Sequence, residues 1–316
     1  MFNLEEVDLS RLTESEKSKY HYYIRMQSQS VDITNKFSDK IIESLIKTRK
    51  NKISNAIWGF IIGDCLGVPY EFKEKGTFHF KEMKGFGTHN QPPMTWSDDT
   101  SLMLSLLDSY EKDTFNIKKQ KHNLHKLLDG YYSVDNILFD IGIGTRNAIH
   151  SDFTTDTSDS LGSGGLLRCW LLGIIDKEQL SEFIALTHSN DELYMECCNL
   201  YISLINNIIE YGKEPGISKW KLDNKSSFDN LIKNNKKLSK TEGCIVQTIR
   251  IVISSYINRR SIKYVIELGG DTDSNAALFG ALKGAEEDDN LLKYKNHIRD
   301  LTKIEQILYS YTSSSK

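Results

Sequence analysis

The amino-acid sequence predicts an all-α protein built as a single-domain helical bundle. Strand signals are scarce, because no clean alternation of apolar and polar residues bounded by turns appears along the 316 residues. Apolar residues recur instead at helical spacing, as at Ile53, Ile57 and Ile61. With 39% hydrophobic and 26% charged residues, the composition is that of an ordinary globular protein with enough apolar material for one core.

Residues 1–51 are highly charged. One apolar stripe in this region has helical spacing. It is formed by Phe37, Ile41, Ile42, Leu45 and Ile46. We interpret it as an appended helix that packs on the main domain, and the alternative is a docking element for a partner.

The helix that starts near Ile53 is expected to end near Gly67. Glycine tolerates unusual backbone angles, and Pro69 restricts the residue before it. Glu71 therefore falls just past the helix, in a loop that can aim a carboxylate into a cleft. Residues 73–95 are rich in turn-forming residues and predict an exposed loop. Because loops of this length are often lids or binding loops, we expect a lid with Glu71 at its root.

Two short acidic stretches are the strongest chemical signal. Residues 97–99 and 271–274 each combine two carboxylates with a hydroxyl, and each opens a run with helical spacing. Alone, the first is better explained as a helix cap followed by first-turn acids. The second repeats its design after two glycines, and four gathered carboxylates repel one another unless a hard cation such as Mg²⁺ or Mn²⁺ offsets their charge. We therefore expect one shared cation site formed by Ser97, Asp98, Asp99, Asp271, Asp273 and Ser274.

Two glycine-rich segments are candidates for contact with a phosphorylated ligand. Gly142 and Gly144 precede a predicted helix, where backbone N–H groups can hold a phosphate, although a tight turn is the commoner explanation. No strand precedes them, so a Rossmann dinucleotide fold is not supported. Residues 162–165 (GSGG) lead into an apolar stretch, and small residues there allow a ligand to approach the backbone closely.

The remaining chain predicts two helices separated by a polar connection. Residues 192–211 and 243–258 have helical patterns. Residues 213–241 are rich in Lys, Asn and Ser, and they indicate a connection with at most one short helix.

Small residues follow the second acidic stretch. Gly280 and Gly284 lie four positions apart with alanines close by in sequence, which permits close packing of helices. We expect this packing to bring residues 271–273 next to the helix that begins at Asp98.

Charge, cysteine content and hydropathy narrow the range of partners and locations. The formal net charge of -3 provides no basic field for nucleic acid. The five cysteines show no C-x-x-C pattern, which favours reduced thiols and an intracellular, most simply cytoplasmic, location. The first ten residues lack the apolar core of a secretory signal, and no apolar run approaches the roughly 18 residues of a membrane span.

Four stretches together form a recognisable pattern: residues 63–72 (GDCLGVPYEF), 96–100 (WSDDT), 162–168 (GSGGLLR) and 269–285. In this order they resemble the ADP-ribosylglycohydrolase family, which includes dinitrogenase-reductase-activating glycohydrolase. The resemblance implies that family's orthogonal helical bundle for residues 52–287. Residues 1–51 would then be a partly helical N-terminal extension, and residues 288–316 a C-terminal helix and frayed tail.

The resemblance also implies roles for individual residues. The six oxygen-bearing residues above would hold two divalent cations, Mg²⁺ or Mn²⁺, that grip the distal ribose. Glu71, Asp98 and Asp273 would be catalytic, whereas Asp64 is expected to hold local structure. Substrate contacts would come from Gly142, Gly144, Ser163, Gly164, Gly165 and His188.

The implied function is that of a metal-dependent hydrolase that cleaves the glycosidic bond between ADP-ribose and an acceptor. The acceptor would be a modified protein side chain or a small ADP-ribosyl compound. One alternative is a catalytically silent ADP-ribose-binding protein, because Ser163 and Leu167 stand where the family usually has Asn and Met. The other is a dinuclear phosphoesterase, which the lack of ligand histidines disfavours. The acceptor linkage, the choice of Mg²⁺ or Mn²⁺ and the oligomeric state stay open.

Overall fold

The computed structural model describes residues 12–14, 16–20, 35–111 and 114–313, of which 35–42 and 310–313 as backbone alone. The regular elements of the described chain are helices and one short antiparallel ladder of two strands, which confirms the predicted all-α class. The strands are β1 (Tyr110–Glu111) and β2 (Thr114–Phe115). The α-helices are α1 (Asn35–Gly67), α2 (Asp98–Leu107), α3 (Ile117–Leu128), α4 (Ile143–His150), α5 (Gly164–Ile175), α6 (Leu180–Ala185), α7 (Glu192–Tyr211), α8 (Lys213–Asn234), α9 (Ile245–Ile257), α10 (Ile262–Ile266), α11 (Thr272–Ala285), α12 (Asp289–Leu292) and α13 (Leu301–Ser313).

Helices α1 and α11 pack against each other through their backbones in the middle of the core. Gly59 and Gly63 of α1 face Gly280 and Ala276 of α11, and a Cβ at either α1 glycine would overlap a carbonyl oxygen of α11. The small residues of α11 therefore pack on α1. The prediction that residues 271–273 lie next to the helix that begins at Asp98 is confirmed, because Ser274 Oγ donates a hydrogen bond of 2.8 Å to Asp99 Oδ2. Small side chains reveal that two helices approach closely, but they do not identify the second helix.

Helix α1 covers, without a break, two helices that the sequence suggested separately. The predicted stripe at 37–46 is helical, and it continues into the helix that was expected to start near Ile53. Of the five stripe side chains, those before residue 43 lie outside the described residues, while Leu45 and Ile46 are half-buried. Residues 35–58 contain no glycine or proline to interrupt the helix.

Helix α8 corrects the predicted polar connection at 213–241. It spans 22 residues, and one narrow face packs on α7, where Trp220 Nε1 donates a hydrogen bond of 2.9 Å to the Leu200 carbonyl. The buried apolar residues on that face are few and widely spaced. The polar residues between them mask the helical periodicity of the sequence. They are Ile217, Trp220, Phe228 and Leu231. The helices predicted at 192–211 and 243–258 are confirmed as α7 and α9.

Residues 73–95 contain no helix and no ladder strand, as the turn-rich sequence predicts. Lys73 forms an isolated antiparallel bridge with Gly270, which anchors the start of this loop just before α11. The end of the loop is buried at Met94 and leads into the start of α2. The loop therefore connects α1 to α2 while it touches the start of α11.

The five cysteines are all buried with free thiols. In the described ranges, no helix is both long enough and apolar enough to cross a membrane.

Candidate active site

The two acidic stretches lie side by side at the starts of α2 and α11. Ser274 Oγ donates a hydrogen bond of 2.8 Å to Asp99 Oδ2, which joins residues 175 positions apart. The carboxylates of Glu71, Asp271 and Asp273 have oxygens within 4.8 Å of one another. One site therefore receives acids from the segment that follows α1, from the start of α2 and from the start of α11.

The start of α2 is held by two buried side chains. Ser97 is the N-cap, and its Oγ accepts a hydrogen bond of 3.2 Å from the Asp99 backbone N–H. Asp64 of α1 accepts hydrogen bonds of 3.1 Å from the backbone N–H groups of Ser97 and Thr100. Burial raises the pKa of Asp64 to about 6, and the bonds from Thr100 and Ser97 oppose that shift. Asp64 thus joins α1 to α2, in the structural role expected for it.

The segment that contains Glu71 is joined to the start of α11. Gly269 and Gly270 have φ angles of 74° and 76°, a left-handed conformation that glycine adopts readily. This conformation allows two backbone hydrogen bonds of 2.9 Å, from Phe72 N–H to the Gly270 carbonyl and from Gly270 N–H to the Lys73 carbonyl. Glu71 is therefore held next to the second acidic stretch by backbone contacts.

The clustered acids are buried and strongly repel one another. Burial, followed by the charge of nearby carboxylates, raises the pKa of Asp98 to about 8. The same two causes raise the pKa values of Asp99 and Asp273 well above their usual range. Oδ1 of Asp273 is buried and has no hydrogen-bond partner among the described residues. Because an unsatisfied buried acceptor costs about 1–3 kcal/mol, a cation at this point would stabilise the site, and the oxygen ligands fit Mg²⁺ or Mn²⁺.

A cavity of about 690 Å³ opens from the acidic cluster. Its size lies in the range of roughly 300–1,000 Å³ that is typical of small-molecule sites. In the part of the chain that the structure describes, no lysine or arginine lines the cavity, and many of the lining residues are glycine, serine or threonine. The described acids that line it are Glu71, Asp98, Asp99, Asp140, Asp156, Glu242, Asp271 and Asp273.

Most of the sequence-predicted site residues lie on this cavity. Among the predicted substrate contacts, Gly165 does not line it, because Gly165 packs against His188 and the Tyr194 hydroxyl. Among the predicted cation ligands, Ser97 does not line it, because its side chain caps α2. The predicted substrate contacts that do line it are Gly142, Gly144, Ser163, Gly164 and His188.

The glycine-rich segments touch the acidic cluster directly. The Gly142 backbone N–H donates a hydrogen bond of 3.3 Å to Asp98 Oδ2. Ser163 Oγ donates a hydrogen bond of 3.5 Å to Asp271 Oδ2. The backbone groups at the starts of α4 and α5 are thus positioned around the same cavity as the acids.

His188 is a buried, neutral residue in the wall of the cavity. Burial, followed by the charge of Arg168, lowers the pKa of His188 to about 3. Its Nδ1 shares a hydrogen bond of 2.8 Å with Thr187 Oγ1. A Cβ at Gly164 would crowd the imidazole ring, so the ring supports the backbone at the start of α5.

The sequence analysis missed three residues near the acidic cluster: His89, Asp140 and Glu242. His89 Nε2 is hydrogen-bonded to the Glu71 carboxylate, and this bond is the main reason why the pKa of His89 is raised. Asp140 offers a carboxylate oxygen within 4.8 Å of a ring nitrogen of His89 and of a carboxylate oxygen of Glu71. Glu242 lies against Gly270 and lines the cavity. His89 and Glu71 are 18 positions apart across an irregular loop, so no periodic pattern relates them.

The fold, with two acidic helix starts at one cavity, is that of the ADP-ribosylglycohydrolase class. A solved structure of an "ADP-ribosylglycohydrolase-related protein complex" matches with a TM-score of 0.65 and 22% identity, over 85% of this chain and 100% of that chain. The chain belongs to the ADP-ribosylglycohydrolase family, whose profile matches residues 46–288. The family suggested by the four sequence stretches is therefore confirmed.

Two relatives carry the name ADP-ribosylarginine hydrolase Tri1. The protein from Pseudomonas putida is 25% identical over 264 residues, which cover 74% of this chain and 70% of the relative. The protein from Serratia proteamaculans is 25% identical over 269 residues, which cover 74% of this chain and 71% of the relative. Family membership and these relatives support hydrolysis of ADP-ribosyl linkages as the activity.

Proposed function

We propose that this protein is a divalent-metal-dependent ADP-ribosyl glycohydrolase that releases ADP-ribose from modified arginine. The observation that carries the proposal is the convergence of two acidic helix starts on one cavity, with Ser274 bonded to Asp99. Glycosidic cleavage needs carboxylates around the anomeric carbon, and this cavity supplies them.

The cation ligands of the proposal are the oxygens of the two acidic helix starts. The unpartnered Oδ1 of Asp273 and the mutual repulsion of the buried acids favour a bound cation. Ser97 can cap α2 and still offer its second lone pair, since a hydroxyl oxygen has two. Bound there, the cations would supply Lewis acidity at the distal ribose. The ligand set is Ser97, Asp98, Asp99, Asp271, Asp273 and Ser274.

The chain's own carboxylates carry out the bond cleavage. Positive charge develops on the ribose ring in an oxocarbenium-like transition state, and Asp98 and Asp273 stabilise it through space. Water adds to the anomeric carbon as the bond to the acceptor nitrogen breaks, and the electron pair of that bond stays on the nitrogen. Glu71 takes up the proton that the water releases and passes it to the leaving guanidine, which departs as a guanidinium. The products are free ADP-ribose and the unmodified acceptor side chain.

The diphosphate of the substrate would bind to backbone groups rather than to cationic side chains. Among the described residues, no lysine or arginine lines the cavity, whereas Gly142 and Gly144 lie at the start of α4 and Gly164 lies at the start of α5. Backbone N–H groups at a helix start favour an anion, and glycine allows close approach. Neutral His188 supports this wall without adding charge.

An arginine linkage agrees with the charge of the cavity and with the names of the two relatives. The guanidinium group stays protonated at all physiological pH values and bonds well to carboxylates. After the four aspartates assigned to cations, Glu71, Asp140, Asp156 and Glu242 remain on the cavity wall. These acids favour a cationic acceptor over a neutral serine.

Product analysis tests the proposal. Arginine-, serine- and acetyl-linked ADP-ribose would each be incubated with the enzyme and either Mg²⁺ or Mn²⁺, and the products separated by chromatography. We expect free ADP-ribose, formed fastest from the arginine-linked substrate. Release of AMP would instead indicate a phosphoesterase, and saturable binding without a product would indicate an ADP-ribose-binding protein.

Divalent cations are expected to raise the melting temperature of the protein. A ligand that binds only the folded state at about 100 times its Kd adds about 2.7 kcal/mol of stability. Differential scanning fluorimetry in EDTA, then with added Mg²⁺ or Mn²⁺, measures this shift in Tm. The Asp271→Ala variant is the matched control, because its shift should be much smaller. Equal shifts in both proteins would contradict the ligand assignment.

Glu242→Gln is expected to reduce the preference for arginine-linked substrate. Glu242 is exposed on the cavity wall, so its charge can attract a guanidinium, and an exposed ion pair is worth up to about 1 kcal/mol. We expect kcat/KM to fall by about fivefold for the arginine-linked substrate and to stay constant for the serine-linked one. Glu74→Gln removes an equal charge from an exposed position outside the cavity and should change neither value. Equal losses on both substrates would rule out a specificity role for Glu242.

A further inference from the structure

The loop at 73–95 reaches the residue that we propose as the proton acceptor. Thr88 Oγ1 donates a hydrogen bond of 2.6 Å to the Glu71 carbonyl, and Thr88 N–H donates one of 3.3 Å to the Pro69 carbonyl. His89, the next residue, bonds through Nε2 to the Glu71 carboxylate. Two successive loop residues therefore hold the backbone and the side chain of Glu71.

The His89 ring is itself held in place. Its side chain is only 13% exposed, and its ring lies near two aromatic rings, with centroid distances of 5.9 Å to Phe72 and 5.1 Å to Phe139. The Glu71 side chain is 8% exposed. In the described part of the chain, His89 is the only side chain that hydrogen-bonds to the Glu71 carboxylate.

Glu71 needs such a partner because its surroundings repel it. Carboxylate oxygens of Asp271 and Asp273 lie within 4.8 Å of the Glu71 oxygens, and Asp140 approaches equally closely on the side of His89. Without a donor, like charges at this separation favour rotation of the Glu71 side chain away from the cluster. A catalytic carboxylate that is displaced by about 1 Å loses much of its effect.

The geometry points to His89 as a positioning residue that holds the Glu71 carboxylate in its catalytic orientation. His89 does not line the cavity, so it acts through Glu71 and not on the substrate. The inference rests on the proposed function, because it needs Glu71 to act in the reaction. It gives residues 73–95 a role in catalysis that the sequence-based expectation of a lid did not include.

The test compares variants that differ only in whether they can donate to Glu71. His89→Gln keeps an amide donor at the reach of Nε2, while His89→Leu keeps an apolar side chain against Phe72 and Phe139 without a donor. We expect His89→Leu to lower kcat by about 30-fold with KM within about threefold of wild type, and His89→Gln to retain most of kcat. His79→Gln is the matched control, since His79 lies in the same loop with its side chain 93% exposed.

A double-mutant cycle separates this inference from the proposed function. If His89 acts through Glu71, the Glu71→Gln, His89→Leu double variant is no slower than Glu71→Gln alone. Wild-type kcat in Glu71→Gln would remove Glu71 from the mechanism and so overturn the proposed role of Glu71. Two other outcomes would overturn the positioning role alone. In the first, Glu71→Gln is slow while His89→Leu keeps the wild-type kcat. In the second, the losses of kcat in the two single variants multiply in the double variant. If His89→Leu unfolds, His89→Asn, whose amide is too short to reach Glu71, takes its place in the cycle.

Discussion

Asp271→Ala is expected to lower metal-dependent turnover by at least about 1,000-fold while the protein stays folded. A bound divalent cation contributes several kcal/mol of transition-state stabilisation, and each 1.36 kcal/mol corresponds to a factor of ten in rate. Asp271 offers a carboxylate oxygen within 4.8 Å of Asp273 and Glu71, so its loss removes one of the proposed cation ligands. The measurement is kcat/KM for ADP-ribosylarginine across a titration of Mg²⁺ and of Mn²⁺.

Without cations, the Asp271→Ala variant is expected to be at least as stable as the wild type. Asp271 is 7% exposed among other acids, and burial raises its pKa. Without cations, the alanine variant removes a repelling charge, so its Tm in EDTA should equal or exceed that of the wild type. Asp159→Ala, which changes an exposed acid outside the cavity lining, controls for a general effect of charge. Turnover at the wild-type rate, or a Tm in EDTA several degrees lower, would contradict the site assignment.

The pairing of the acidic stretches could be predicted because the chemistry of each stretch repeats. Residues 97–99 and 271–274 both place acids and a hydroxyl at a helix start, and such a concentration of negative charge needs one shared partner. No contact between the helices had to be known for that argument. The route by which they meet could not be predicted, since Gly280 packs on Gly59 of α1 and not on α2.

The loop contacts of the site could not be predicted for a different reason. His89 reaches Glu71 only because residues 73–95 fold back, and an irregular loop has no period that relates two of its positions. The position of Glu242 could not be predicted either, because its place on the cavity wall depends on the close approach of Gly270. Isolated polar residues in loops show no sequence pattern from which their mutual contacts could be predicted.

The predicted helix boundaries were wrong where the composition of a segment masked its helical periodicity. Helix α8 buries one narrow apolar face, and Lys, Asn and Ser cover the rest of its surface, so a connection was predicted at 213–241. Helix α1 was divided in two because the resemblance began near residue 52, although the backbone continues from Asn35. For α8, packing against α7 determines the structure more strongly than local composition does.

Gly63→Ala is expected to destabilise the fold by about 2 kcal/mol or more and to reduce activity as well. Two effects oppose each other, since alanine gains about 1 kcal/mol of helix propensity over glycine, whereas overpacking a close contact costs about 1–3 kcal/mol or more. The overpacking effect dominates here because the Cβ would overlap the carbonyl oxygen of Ala276, a backbone atom of α11 that cannot rotate away. Separation of α1 from α11 would also move Glu71 away from Asp273. Denaturant unfolding gives the change in stability.

Ser54→Ala is the matched control for the Gly63 variant. Ser54 is an exposed residue of the same helix, so alanine there gains helix propensity without meeting a neighbour. Its free energy of unfolding should rise by up to about 0.5 kcal/mol, and its kcat should not change. If Gly63→Ala proved as stable as Ser54→Ala, α1 and α11 would not be in backbone contact. The position of Glu71 beside the second acidic stretch would then need another explanation, because that contact places the end of α1 against the start of α11.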